Sequence, residues 1–155
     1  MSPGNEKRRL LIYAHYYIPD TASTGQILRE LAEGLLNQFD VTVICVVPSY
    51  LGIVEKIYKK KKYYKEQIGG VNVLRVRVPE FAKTKKCSRI RNILSYFFGA
   101  MSATFRVGKV DYVLAISQPP ILGGLLGVWG KWMKHAKFIY NIQDFNPEQT
   151  LAVGY

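Results

Sequence analysis

Two side chains in this 155-residue sequence could move a proton at the edge of a crevice. They are His15, at the end of the apolar run LLIYA, and Asp144, at the end of the run KFIYNIQ. An imidazole or a carboxylate placed there can orient or deprotonate a hydroxyl. Each has a structural reading beside the chemical one: His15 as a hydrogen-bonding residue, Asp144 as a turn or cap residue ahead of Asn146. Around them stand residues suited to holding a polar ligand. Tyr16 and Tyr17 can stack on a ring. Asp20, Thr24 and Gly25 belong to a small-residue loop before a helix start, where backbone N–H groups face any anion. Ser117 and Gln118 follow one apolar run and Glu148 another, although Glu148 in a first turn suits the helix dipole without any function. His135 sits where a helix should end, a position that favours a cation.

Some chemistries are missing their signatures. No G-x-G-x-x-G follows the first apolar run, no P-loop is present, and no H-x-x-x-H or C-x-x-C points to metal. Cys45 and Cys87 lack ligand-like spacing; Cys45 lies in a strand pattern and is expected as a buried free thiol, which suits a reducing compartment. Hydrophobic residues make up 48% of the chain and the mean hydropathy is −0.02, as in a globular domain rather than a disordered one. The net charge of +11 favours anionic partners: nucleic acid, an acidic lipid surface or a phosphorylated substrate. The positive charge is clustered. Lys59, Lys60, Lys61 and Lys62 fall in EKIYKKKKYYKE; Lys83, Lys85, Lys86, Arg89 and Arg91 precede and open a later apolar segment. Both clusters read either as solvated surface or as a surface that meets phosphates at a membrane.

The elements that would position these residues follow from periodicity. Residues 8–17 predict a first strand, and Ser23 with Gln26 a capping box opening a helix through Asn37. DVTVICVV (40–47) is β-branched and predicts the second strand. Residues 49–70 are expected to be a basic excursion, loop or frayed helix. VNVLRVRV (71–78) puts Leu74, Val76 and Val78 on one side and Arg75 and Arg77 on the other, a strand near the sheet edge with one less buried face. Ser88 can cap a helix whose stripe of Ile90, Ile93, Leu94, Phe97, Phe98, Met101 and Phe105 is expected to pack on the sheet, or else to touch a membrane interface. YVLAIS then predicts a fourth strand. The uncharged stretch 112–130 is long enough to span a bilayer, but Pro119-Pro120 argues for strand, turn and then a helix to about His135. KFIYNIQ predicts a fifth strand, and Asn146-Pro147-Glu148 a further helix start.

This alternation predicts an α/β fold: a Rossmann-like, doubly wound parallel sheet with helices on both faces. In the order 3-2-1-4-5 the winding reverses between strands one and four, and ligands bind at the strand carboxyl ends there. The loops His15–Gly25, Ser117–Pro120 and Gln143–Glu148 would meet at that edge.

Specific residues add a resemblance. Tyr16-Tyr17-Ile18-Pro19-Asp20-(x4)-Gly25, then Ile27-Leu28-Arg29-Glu30-Leu31-Ala32-Glu33-Gly34-Leu35 and Val41-Thr42-Val43-Ile44, resemble the opening of family 4 glycosyltransferases of the GT-B fold. Ser117-Gln118-Pro119-Pro120 and Gln143-Asp144-x-x-Pro147-Glu148 resemble later landmarks of the same N-terminal domain. The subgroup it most resembles makes bacterial exopolysaccharide of the colanic-acid type. The resemblance implies that residues 1–155 form one acceptor-binding domain, interrupted at its C-terminal end. A second domain, in cis or as a partner subunit, would bind the nucleotide-sugar donor, and no metal or other cofactor would be needed. It further implies a retaining transferase on the cytoplasmic face of the cell membrane, acting on a saccharide acceptor carried by a lipid. Two departures stand out: Thr24-Gly25 replaces a Gly-Gly pair, and Ser117-Gln118 stands where some relatives have a histidine. A non-catalytic subunit that recruits a separate donor-binding protein to the membrane is the alternative expectation, and a basic nucleic-acid binder a third.

Overall fold

Runs of β-branched and aliphatic residues build the sheet, and the computed structural model describes it over residues 6–20 and 23–142, with the side chain of Ser23 not included. Strand β1 (Arg8–Tyr13) leads through α1 (Ser23–Gly34) to β2 (Phe39–Val46). A short 3-10 turn (Lys56–Lys59) precedes the hairpin β3 (Tyr63–Ile68) and β4 (Val71–Val76). Helix α2 (Lys86–Thr104), β5 (Tyr112–Ile116), α3 (Pro120–Lys134) and β6 (Lys137–Asn141) complete the order. The sheet runs β3-β4-β2-β1-β5-β6. All pairs are parallel except β3 with β4. The five predicted strands therefore stand in the expected order, with the first and fourth (β1 and β5) adjacent. The fold is α/β with a mostly parallel sheet, compatible with a Rossmann-like arrangement.

The sheet is covered on both faces. On one, Leu11, Tyr13, Ile44, Val46, Leu74 and Val76 pack beneath α2 and α3 with Tyr96, Ala100, Ala103 and Leu126. On the other, Leu10, Ile12, Ala14, Val41, Val43 and Cys45 pack with Leu28 and Ala32 of α1. The two sets alternate along β1 and β2, as a pleated strand buried on both sides requires.

Several expectations are corrected. Residues 49–70 are not simply loop or frayed helix, because their second half is strand β3. Gly69 and Gly70, at φ 57° and 87°, form a two-residue hairpin turn that needs both residues left-handed, and so β3 folds back on β4. Lysines mask the alternation of YYKEQI, whose inward positions are only half-buried.

Arg75 was expected on the less buried face of its strand and is completely buried. The added strand moves β4 off the edge. It also brings Glu66 diagonally across the pair, where Glu66 Oε2 accepts from Arg75 Nε at 2.7 Å. Arg75 further donates to the carbonyls of Val46 and Ile18.

Helix α2 buries only part of its expected apolar stripe: Phe97 and Met101 are partly buried against the core and Ile93 is half-buried. Its sheet side carries Asn92, Tyr96, Gly99, Ala100, Ala103 and Thr104, while Ile90, Leu94, Phe98 and Phe105 are exposed. Small residues let the helix axis approach the sheet: a Cβ on Gly99 would collide with Val76.

Ser88 does not cap α2, which begins at Lys86. Its hydroxyl instead bonds Ala82 and Lys85, holding the preceding turn. The proposed capping box on Ser23 meets a helix that already includes Ser23, and α1 ends at Gly34 rather than Asn37. The stretch 112–130 is strand, turn and helix as expected, and among the described residues no helix is long and apolar enough to cross a membrane. His135 closes α3 in a left-handed conformation, φ 50°. Cys45 is buried, with its thiol pushed up to about 12 by burial; Cys87 is exposed.

Candidate functional site

At the carboxyl ends of β1 and β5, where the chain reverses across the sheet, lies a pocket of about 350 Å³, within the size range of small-ligand sites. His15 and Tyr16 come from the extension of β1, whose backbone stays paired with β2: Ala14 N–H donates to Ile44 O and Val46 N–H to His15 O. Gln118 and Pro119 come from the turn after β5, while Phe81, Lys83, Arg89, Asn92 and Ile93 come from the segment leading into α2 and its first turns. Tyr50 closes the outer side.

The walls are ordered by rings. His15 meets Tyr16 and Tyr96 edge-on, with centroids 4.4 and 4.7 Å apart, and Tyr16 meets Tyr50 at 5.3 Å. Tyr96 is fixed from below, its hydroxyl donating to the carbonyls of Ala14 and Ile44. Asn92 is held by donation from its amide to Pro79 O at 2.8 Å. The Lys83 ammonium lies 5.2 Å over the Tyr50 ring, close enough for a cation–π contact.

Asp20 supports this wall without lining it. Its buried carboxylate accepts from the backbone N–H groups of Ser49 and Tyr50 at 3.1 to 3.2 Å and so sets the Tyr50 ring against Tyr16. Burial raises the Asp20 pKa even though those two donors act against it. Arg75 supports the same wall from beneath by holding Ile18 O.

The protonation states follow from burial. His15 is lowered to about 4, chiefly by burial, with Asn92 acting the other way. At neutral pH it is an uncharged imidazole, and its Nδ1 has no hydrogen-bond partner among the described residues. That makes it a group for holding a hydroxyl rather than a strong base. The Tyr16 hydroxyl is raised to about 12, by burial first and then by Asp20 and Tyr50, with Arg89 opposing. Lys83 and Arg89 are the only charged groups on the described lining. The pocket thus offers stacking rings, neutral hydrogen-bonding groups and two cations, which suits a ring-bearing anion.

Of the residues singled out from sequence, the pocket unites His15, Tyr16, Gln118 and Arg89. Tyr17 is corrected: it is fully buried on the opposite face of the sheet, against the α1 side. Ser117 is buried and its N–H donates to Asn141 O, so it supports the loop and does not line the pocket. Thr24 Oγ1 donates to Gln118 Oε1 at 3.2 Å, tying α1 to the pocket rim. Gly25 packs on the Tyr17 backbone, where a Cβ would make only ordinary contact. Asp144 and Glu148 lie outside the described residues. Lys59 to Lys62 border the β3 edge: Lys59 pairs with Glu80 at 2.7 Å, and the Lys60 and Lys61 N–H groups donate to Tyr64 Oη. Lys85, Lys86 and Arg91 lie at the start of α2 without lining the pocket.

Sequence reasoning missed Tyr50, Phe81 and Asn92. Asn92 carried a usable signal, a polar residue among the apolar positions of a helix. Tyr50 and Phe81 carried none, since both arrive through loops. Among the described residues no group of His, Cys, Asp and Glu is arranged to hold a metal ion. No family model and no curated protein sequence matches this chain.

Proposed function

We propose that this chain is a Rossmann-like, doubly wound acceptor-binding domain of the GT-B glycosyltransferase type. In this reading it holds a saccharide acceptor linked through phosphate to a lipid, in cell-surface polysaccharide synthesis. The observation that carries the proposal is the pocket at the β1–β5 crevice. It pairs aromatic walls for a sugar or prenyl unit with Lys83 and Arg89 for a phosphate, and no carboxylate opposes them on the described lining. The resemblance of residues 16–35, 41–44 and 117–120 to that family supports the same reading. The nucleotide-sugar donor would be bound by a second domain, in cis or as a partner subunit, with no further cofactor. The protein would work at the inner face of the cell membrane. The uncharged state of His15 also favours a second reading, a binding subunit that leaves the chemistry to a partner.

The test is calorimetric titration of the full chain with a short-chain prenyl diphosphate saccharide. Binding is expected, weakened at least tenfold in Lys83→Ala/Arg89→Ala, with each lost charge-assisted contact costing about 1.5–3 kcal/mol. Absence of binding, or equal binding by the variant, refutes the acceptor assignment.

A further inference from the structure

The outer surface of the α2–α3 layer has the composition of a face that is normally buried. On α2 and its C-cap, Ile90, Leu94, Phe98 and Phe105 are exposed. On α3 the exposed set is Ile121, Leu125, Val128 and Trp132, with Ile121 at 79% and Trp132 at 70%. Their spacing of three, four or seven residues keeps each set on one helix face. The two stripes are joined where the helices touch: Trp129 Nε1 donates to Met101 O, and the Phe105, Trp129 and Trp132 rings form a chain with centroids 6.1 Å apart. Monomeric soluble proteins seldom expose a contiguous apolar area of this kind without a partner for it.

The charge around the patch has one sign. From Phe81 to Gln143 the sequence holds ten Lys and Arg residues and a single acidic one, Asp111. Asp111 is engaged just ahead of β5, at the amino-terminal ends of the strands, accepting from Arg9 N–H at 2.8 Å. Arg91 shares a groove with Ile90, Leu94 and Phe98. Lys131 is exposed within one turn of Val128 and Trp132.

We infer that the α2–α3 outer face docks on an anionic lipid bilayer, with Trp132, Leu125 and Phe98 entering the headgroup–acyl boundary and Arg91 and Lys131 meeting the headgroups. Apolar insertion combined with a cationic rim is the physical signature of interfacial helices. Nucleic acid would match the charge but gives no reason to expose Ile121, Leu125 and Val128. A protein partner would match the apolar stripe but gives no reason for the near absence of acid. The docking also explains the placement of the pocket. Arg89 lines it and Ile90 lies on the patch, so a seated α2 presents the pocket mouth at the lipid surface. The inference deepens the membrane half of the proposed function and does not depend on sugar transfer.

The test uses the full chain with vesicles of phosphatidylcholine, with and without 30% phosphatidylglycerol, read by co-sedimentation and tryptophan emission. Binding to the anionic vesicles with a blue shift is expected, and little binding to neutral ones. Leu125→Ser/Trp132→Ser should weaken it at least tenfold with a near-unchanged melting temperature, since both side chains are exposed. Arg91→Ser/Lys131→Ser should weaken it and reduce its salt dependence. Failure to bind anionic vesicles overturns the inference. So does binding that Leu125→Ser/Trp132→Ser leaves intact, which is plain electrostatic adsorption. Concentration-dependent self-association abolished by that variant, with no vesicle binding, assigns the face to a second copy and also overturns it. Vesicle binding without acceptor binding keeps this inference and removes the acceptor reading; the reverse result does the opposite.

Discussion

Replacing His15 by Phe should remove a large part of the acid sensitivity of the fold. The imidazole titrates at about 4 in the folded protein and near 6.5 in the unfolded chain. Between those values the unfolded state binds more protons, so stability rises with pH through this window and falls as the pH drops through it. Linkage over about 2.5 units puts the whole effect near 3 kcal/mol, and about 2 kcal/mol of it is already lost at pH 5. His15 is only 8% exposed, so solvent screening takes little from this figure. Phe keeps the edge-on contacts with Tyr16 and Tyr96 and gives up only the Asn92 interaction. Urea unfolding of both proteins at pH 7.5, 6 and 5 measures the difference. The wild type should lose about 2 kcal/mol more than the variant between pH 7.5 and 5. Other titrating groups, such as Asp20 with its raised pKa, are common to both proteins and cancel. Equal losses would refute the buried, neutral imidazole and with it the hydrogen-bonding role in the pocket.

Arg75→Met should cost about 3–5 kcal/mol in the same assay, the range for removing one partner of a buried pair, because it also strands the Val46 and Ile18 carbonyls. Glu66→Gln should cost less, since the amide oxygen still accepts one bond from Arg75; a loss below 1 kcal/mol for Arg75→Met would contradict the burial described. Gly123→Ala should lower stability by about 1–3 kcal/mol, because its Cβ would strike the Ile116 carbonyl and lift α3 from β5. Gly34→Ala, with open space at its Cβ, should instead be neutral or stabilising by up to about 1 kcal/mol. Melting temperatures of the two glycine variants should therefore move apart.

Much of the sheet was legible because its signal is local. β1, β2 and β5 are short apolar runs closed by Pro, Gly or polar residues, and their alternation with helices matches the doubly wound order that the sheet shows. The end of β1 was legible as a pocket wall for the same reason: His15 and Tyr16 follow directly after the strand. Arg75 was misplaced because alternation assigns a side chain to a face but does not say what lies beyond that face. Only the β3 hairpin, turned by Gly69-Gly70 and half hidden among lysines, brought Glu66 to it. Tyr17 was misassigned by the same limit: β1 ends at Tyr13, and the local sequence past a strand end does not say which side a residue turns to, so only the packing with Leu28 and Ala32 places Tyr17 on the α1 side.

By itself the sequence determined the alternation of strands and helices, the residues that follow β1 and β5, and the strongly positive charge, because each depends on residues close together in the chain. Tertiary structure decided which walls the pocket has and which way α2 faces. Tyr50 and Phe81 reach the site through loops whose course depends on distant anchors, Asp20 for one. The facing of α2 was decided by how closely Gly99, Ala100 and Ala103 allow the helix to approach Val76. With these small residues against the sheet, Phe98, Leu94 and Ile90 stand on the outer side of the helix.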